Sequence, residues 1–347
     1  MDYNNERKNY YKKGEMSQMN DFFRLLKNGN KTSLVAAIVN FVIALAKAFA
    51  FFFTGSTAMF AEMMHSLADA ANQFFVYIGS AFSKKEPTDR FPNGFGRLVN
   101  LVCLGAVLVV GWMSIETIKH GIHQILHPEA SQGMVLNIIV LGLGVALESF
   151  VLYKACGHIL HDAHVEAKGA QVISQAIKHL SKAKPATKLV FMEDLVATGG
   201  GIVAILAILI GHFVGFYQSE GIASVLIGTS MLFVVGKVFL ENAAGALGES
   251  DEEMKQILGA IVMQDPDIHD IQEMIVTKEG DDYHVDAKVE VDPDIPFAKV
   301  DDIQDRVQAK LLAQKGVTEV NLGFDEKDNI PHWENQNKEK ETAKTGK

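Results

Sequence analysis

An imidazole and a carboxylate four residues apart, His65 and Asp69, interrupt an otherwise apolar run. On a helix they project from one face, one turn apart. An imidazole nitrogen beside a carboxylate oxygen is half of a site for a divalent metal such as Zn2+. Glu193 and Asp194 interrupt a second apolar run and can supply the other half. Ionisable side chains cost about 2.5–3.5 kcal/mol each in hydrocarbon, so they persist there where an ion, a proton or an opposite charge needs them. Adjacent helical residues point about 100° apart, so Glu193 and Asp194 cannot face one point equally. Asp194 is favoured as the ligand, with the longer Glu193 either joining it or pairing with a cation. Glu62, one turn before His65, has three open roles: a fourth ligand, a proton acceptor or a partner of Lys47. The blander reading is that His65 and Asp69 pair with each other or with Lys47 to hold a bundle together.

Other chemistry-bearing residues read less sharply. Glu116, Glu148, Lys47, Lys237 and Glu241 suit structural pairs or an interface, and Asn40 suits either a pathway or packing. Gly199, Gly200 and Gly201 suit close helix contact. His158, His161 and His164 follow Cys156 at helical spacing, which fits a solvated helix or a weak metal site. His269 and His284 read as surface residues.

The elements that must carry these residues follow from the distribution of apolar side chains. Of 347 residues 48% are hydrophobic, and the apolar ones concentrate between Ser33 and Glu241. Six stretches, about 33–53, 57–82, 98–119, 134–155, 187–212 and 219–241, are each long enough for a bilayer about 30 Å thick. Lys and Arg concentrate in residues 1–31 and in the linkers after the second and fourth stretches. The linkers after the first and fifth carry none. That bias places both termini on the cytoplasmic or equivalent inner side. The net charge of −10 belongs largely to the polar ends and argues against nucleic acid as a partner. Cys103 and Cys156 form no CxxC, so neither a zinc ribbon nor a disulfide framework is supported. The N-terminal segment lacks the apolar core of a signal peptide.

After Glu241 the character changes. Ser250-x-x-Glu253 has the form of a capping box opening a helix over 251–264. Residues 271–278 and 283–291 alternate like half-buried strands, 299–314 returns to helical spacing, Gly316 is a stop, and 317–324 is a last strand. The expected organisation is a cytoplasmic tail (1–32), a membrane α-helical bundle of six transmembrane helices (33–248), a small cytoplasmic α+β domain of αββαβ, ferredoxin-like type (249–326) and a disordered tail (327–347). An αββαβ unit of about 75 residues has a small core and is expected to pair with a copy of itself.

These features together resemble the cation diffusion facilitator family over about residues 30–326. Glu62-x-x-His65-Ser-Leu-Ala-Asp69 is similar to the family's (H/D)xxxD in the second span. Arg90-Phe-Pro-Asn-Gly-Phe-Gly-Arg97 resembles its turn after that span. In the fifth span Asp194 matches the second position of the family's pair, while the first falls on Val190. The Phe191-Met-Glu-Asp194 string and the long linker before it resemble the branch of the animal mitochondrial zinc exporter, where Glu193 is the natural replacement ligand. The resemblance implies a homodimer that exports Zn2+ in exchange for protons, with the ion held by His65, Asp69, Asp194 and Glu193. It implies no enzyme activity and no resident cofactor. Mn2+ or another divalent metal is an alternative cargo, and a non-transporting scaffold with a degenerate site an alternative role. The expected location is a membrane, by default the bacterial inner membrane. Regulatory zinc in the family's soluble domain would fall at Gln272, Lys288 and Gly323, residues that do not suit it, so that domain is expected to dimerise the chain. An intramembrane metalloprotease would need HExxH, which is missing. An aspartyl protease built on Asp69 and Asp194 would leave His65 without a role.

Overall fold

The computed structural model describes residues 24–333 except 92, 93, 164, 166, 168, 170, 181–184, 280, 281 and 329. The described residues form two compact units, one within 24–82 and 101–242, the other within 83–100 and 243–333.

The first unit is helical. Its long elements are α1 (Lys31–Thr54), α2 (Thr57–Ser83), α3 (Leu98–Leu126), α4 (Met134–Asp162), α6 (Pro185–Val214) and α7 (Gln218–Leu247), with a short α5 (Gln171–His179). Among the described residues, five helices are long and apolar enough to cross a membrane: α1, α3, α4, α6 from Val190 onward, and α7. The helix that does not reach that apolarity is α2, which carries Glu62, His65 and Asp69. The first turn of α2 is held by a buried carboxylate. Glu220 accepts from the Ser56 hydroxyl at 2.6 Å, from the Ala58 N–H at 3.5 Å and from the Ser131 hydroxyl. Negative charge at a helix N-terminus is stabilising there. The core of this unit is built from alanine, methionine and isoleucine, with Ala58, Met59, Ala61, Leu141, Ala204 and Ile208 fully buried. The outward faces stay apolar, with Phe52, Leu108, Leu143 and Phe213 exposed.

Small residues let α6 approach its neighbours. A methyl group on Gly201 would meet the Val145 side chain at 2.5 Å, and one on Gly200 would meet Glu62 Oε1 at 2.9 Å. The third glycine of that run, Gly199, faces open space.

The second unit contains α8 (Glu252–Val262), β1 (Asp270–Glu279), β2 (Asp282–Val291), α9 (Phe297–Leu312) and β3 (Val317–Glu326). The sheet order is β1-β2-β3, with β1 antiparallel and β3 parallel to the central β2. A parallel neighbour needs a crossover, which α9 provides. Leu258 from α8, Ile271 and Met274 from β1, Val289 from β2 and Ile303, Val307 and Leu311 from α9 close one core. Gly316 enters β3 with φ 86, as the stop required. The helix cap differs from the expected box: Asp251 accepts from the Met254 N–H at 2.9 Å, while Ser250 bridges to Thr277. An ionised carboxylate is at least as good an N-cap as a hydroxyl. The core also runs past the expected domain end, since Trp333 is buried within it. Residues 334–347 lie outside the described residues.

Candidate metal centre

The acidic and imidazole groups singled out in the sequence converge in the helical unit. A cavity is lined by His65, Asp69 and Asn72 of α2 and Glu193 of α6, with a wall of valines that includes Val107, Val110, Val234 and Val238. His65 Nε2 lies 3.5 Å from Asp69 Oδ2. That nitrogen is buried and has no hydrogen-bond partner. The two residues share a face because they are one turn apart on a regular helix. Asn72 continues that face, three residues after Asp69 and seven after His65. A neutral amide in a helix carries no signature that distinguishes it from a packing residue, which is why the sequence did not flag it.

The second acidic pair divides, as neighbours about 100° apart on a helix do. Glu193 lines the cavity and Asp194 does not. Asp194 keeps a buried Oδ2 without a hydrogen-bond partner and has Asp69 and Glu148 as charged neighbours. Glu193 has Asp69, Asp194 and Glu241 around it. Three carboxylates and one imidazole therefore gather among apolar helices.

Lys47 does not join them. Its ammonium is 1% exposed and donates to Glu62 at 2.7 Å and to Glu148 at 3.4 Å. Of the three roles open to Glu62, the structure shows partnership with Lys47. The remaining oxygens, Glu62 Oε1 and Glu148 Oε2, are buried without hydrogen bonds. One ammonium is thus shared between two carboxyl groups next to the cavity.

The other candidates separate from this site. His158 and His161 are exposed on α4, and His164 lies outside the described residues. His269 pairs with Asp292 at 2.9 Å and His284 with Glu319 at 3.0 Å, as surface histidines do. In the second unit Lys288 faces Gly323 in register, and Gln272 sits at the β1 irregularity beside them. There the Lys288 ammonium salt-bridges Asp325 at 2.7 Å, which holds the Asp325 carboxyl below its usual range. A lysine cation therefore stands among those three positions.

Comparison with known proteins accounts for the bundle and the sheet alike. Residues 33–245 match the cation efflux transmembrane domain, which is more than half of the chain. The chain belongs to the cation efflux family. Residues 250–325 match the family's cytoplasmic domain. Relatives include the proton-coupled zinc antiporter SLC30A9, mitochondrial, of Mus musculus, 27% identical over 265 residues that cover 74% of this chain and 44% of that protein. The Xenopus laevis protein of the same name is 27% identical over 271 residues, 78% of this chain and 47% of the relative. The cation-efflux pump FieF of Klebsiella pneumoniae (strain 342) is 21% identical over 304 residues, 87% of this chain and 94% of the relative. The chain thus spans less than half the length of the SLC30A9 relatives it matches. As a cation efflux protein it is a membrane protein, and the converging carboxylates sit in its transmembrane domain.

Proposed function

We propose that this chain exports Zn2+ across a membrane in exchange for protons, as a homodimer working by alternating access. In this reading α2 is the sixth membrane crossing, made less apolar by the groups that handle the ion. Both termini lie on the cytoplasmic side of what is by default a bacterial inner membrane. The C-terminal αββαβ unit, ferredoxin-like in type, is the dimerisation module. The observation that carries the reading is the convergence of His65, Asp69 and Glu193 on one cavity with Asp194 beside it. Negative charge gathered among apolar helices calls for a cation, and one imidazole with two or three carboxylates suits Zn2+.

Proton coupling follows from the same donors. Zinc needs a neutral imidazole and ionised carboxylates, so proton and metal compete for one set of atoms. A site that faces a zinc-rich side loads metal and releases protons; facing the other side, it does the reverse. Rocking of the helices around a fixed site would expose it to each side in turn. The names of the SLC30A9 relatives, proton-coupled zinc antiporters, support this cargo. The oxygen-rich donor set also suits Mn2+, which ranks second. Purified protein in vesicles tests the choice. Zn2+ uptake that exceeds Mn2+ uptake at equal concentration, and that is lost in His65→Ala, is the expected outcome. Faster Mn2+ uptake would reverse the cargo assignment.

A further inference from the structure

The C-terminal unit holds a second cluster of metal-type donors. Asp270 opens β1 and stands directly opposite Glu290 of β2. Like charges facing each other across an antiparallel pair repel. Glu290 is 1% exposed, and its Oε1 is buried without a hydrogen-bond partner. The third member, His332, lies beyond residue 325, where the match to the family's cytoplasmic domain ends. It is positioned by its own backbone: the His332 N–H donates to Asp270 at 2.5 Å and the Trp333 N–H to the same carboxylate at 3.3 Å. This brings His332 Nδ1 3.1 Å from Glu290 Oε1 and 3.6 Å from Asp270 Oδ2. That nitrogen too is buried and lacks a hydrogen bond. One donor atom of each residue lies within 4.8 Å of the other two.

The geometry points to a binding site for a divalent first-row cation, Zn2+ being the best match, formed by Asp270, Glu290 and His332. One imidazole and two carboxylates make a three-ligand set that leaves a position for water. Protonation of His332 would set one positive charge against two carboxylates, whereas a divalent cation neutralises both. Asp328 lies 3.8 Å from His332 Nε2, and the Lys327 ammonium is turned to His269 at 3.4 Å. The site shares no residue with Gln272, Lys288 and Gly323. Its consequence is mechanical: a bound cation would pin the segment carrying His332 and Trp333 to the first strand of the sheet. Docking of that segment would then depend on the free metal concentration. The inference is independent of which ion the membrane domain carries.

The test uses the full chain in detergent with His65→Ala and Asp69→Ala to disable the membrane donors. It adds Trp112→Phe, which leaves Trp333 as the only tryptophan. The probes are Co2+, which quenches nearby tryptophan emission, and Zn2+ as its competitor. The expected result is saturable Co2+ quenching of Trp333, relieved by Zn2+ or EDTA, with a midpoint raised at least about tenfold in both Glu290→Gln and His332→Gln. Zinc retained after desalting should fall in parallel in the two variants. His332→Gln changes only a rim side chain, 26% exposed, so it reads the site even if Glu290→Gln disturbs the fold. Unquenched Trp333, or a midpoint and zinc content unchanged in His332→Gln, would overturn the site.

Discussion

At the scale of single residues, the proposed transport site rests on His65 and Asp69. Removing either leaves an incomplete donor set in the cavity that both line. His65→Ala and Asp69→Ala are each expected to abolish metal flux while expression and dimer formation persist, as flux assays and sedimentation on the same preparations would show. The α6 pair gives a finer test. Because Glu193 lines the cavity and Asp194 is not among its lining residues, Glu193→Gln should lose zinc binding and Asp194→Asn should keep part of it. A zinc titration that ranks the two variants the other way would return the ligand role to Asp194. The facing of this pair was the least legible part of the site. The ionisable types and the four-residue spacing in α2 could be read directly. Neighbours about 100° apart on one helix reveal their order only when the helix rotation is known. Asn72 was hidden for a related reason: an amide has no charge to flag it in an apolar run. The Lys47–Glu62 pair, by contrast, was one of the three roles the sequence left open for Glu62.

At the scale of elements, buried charge has to be paired. Breaking Lys47 away from Glu62 leaves a carboxylate uncompensated among apolar helices, which costs about 3–5 kcal/mol. Lys47→Met should therefore lower the melting temperature in detergent sharply, and adding Glu62→Gln should restore much of it. A double variant no more stable than Lys47→Met alone would mean that the pair is not the source of the loss. In the second unit Asp265 takes two hydrogen bonds from Arg306, at 2.8 and 2.7 Å, and one from Lys310 at 3.2 Å. The Arg306 bonds, chiefly, hold its carboxyl down to about 2. A carboxyl depressed in the folded state contributes stability that is full above its ordinary range near 4 and is lost as pH falls through about 2. Arg306→Ala should destabilise the chain at pH 7 and much less at pH 2, as melting curves at the two pH values would show. The element boundaries were legible to within a few residues except at the helix ends. There α3 and α4 continue about seven residues past their apolar stretches, to Leu126 and Asp162. A helix does not stop where its apolar face ends, because polar residues such as Lys119 and His123 carry it on into water.

At the scale of the whole molecule, one family accounts for both the helical unit and the sheet unit. The change of character after Glu241 was plain in the sequence, since hydropathy, charge and periodicity all shift there, and the two compact units part between residues 242 and 243. The reach of the second unit was not. Trp333 belongs to its core, yet a lone tryptophan in a Lys- and Asn-rich tail gives no periodicity to read. The proposed dimer rests on the small sheet domain. In detergent the chain should sediment at about twice its 38.0 kDa mass, and a truncation before Glu249 should weaken that association. The central claim is exchange of zinc for protons through the His65, Asp69 and Glu193 cavity. Its most direct measurement is simultaneous recording of zinc and internal pH in vesicles that contain the purified protein. The account predicts that an imposed pH gradient drives zinc against the proton flow, that an imposed zinc gradient moves protons the opposite way, and that both fluxes vanish in Asp69→Ala. Zinc flux that leaves internal pH unchanged, or that persists in Asp69→Ala, would contradict it.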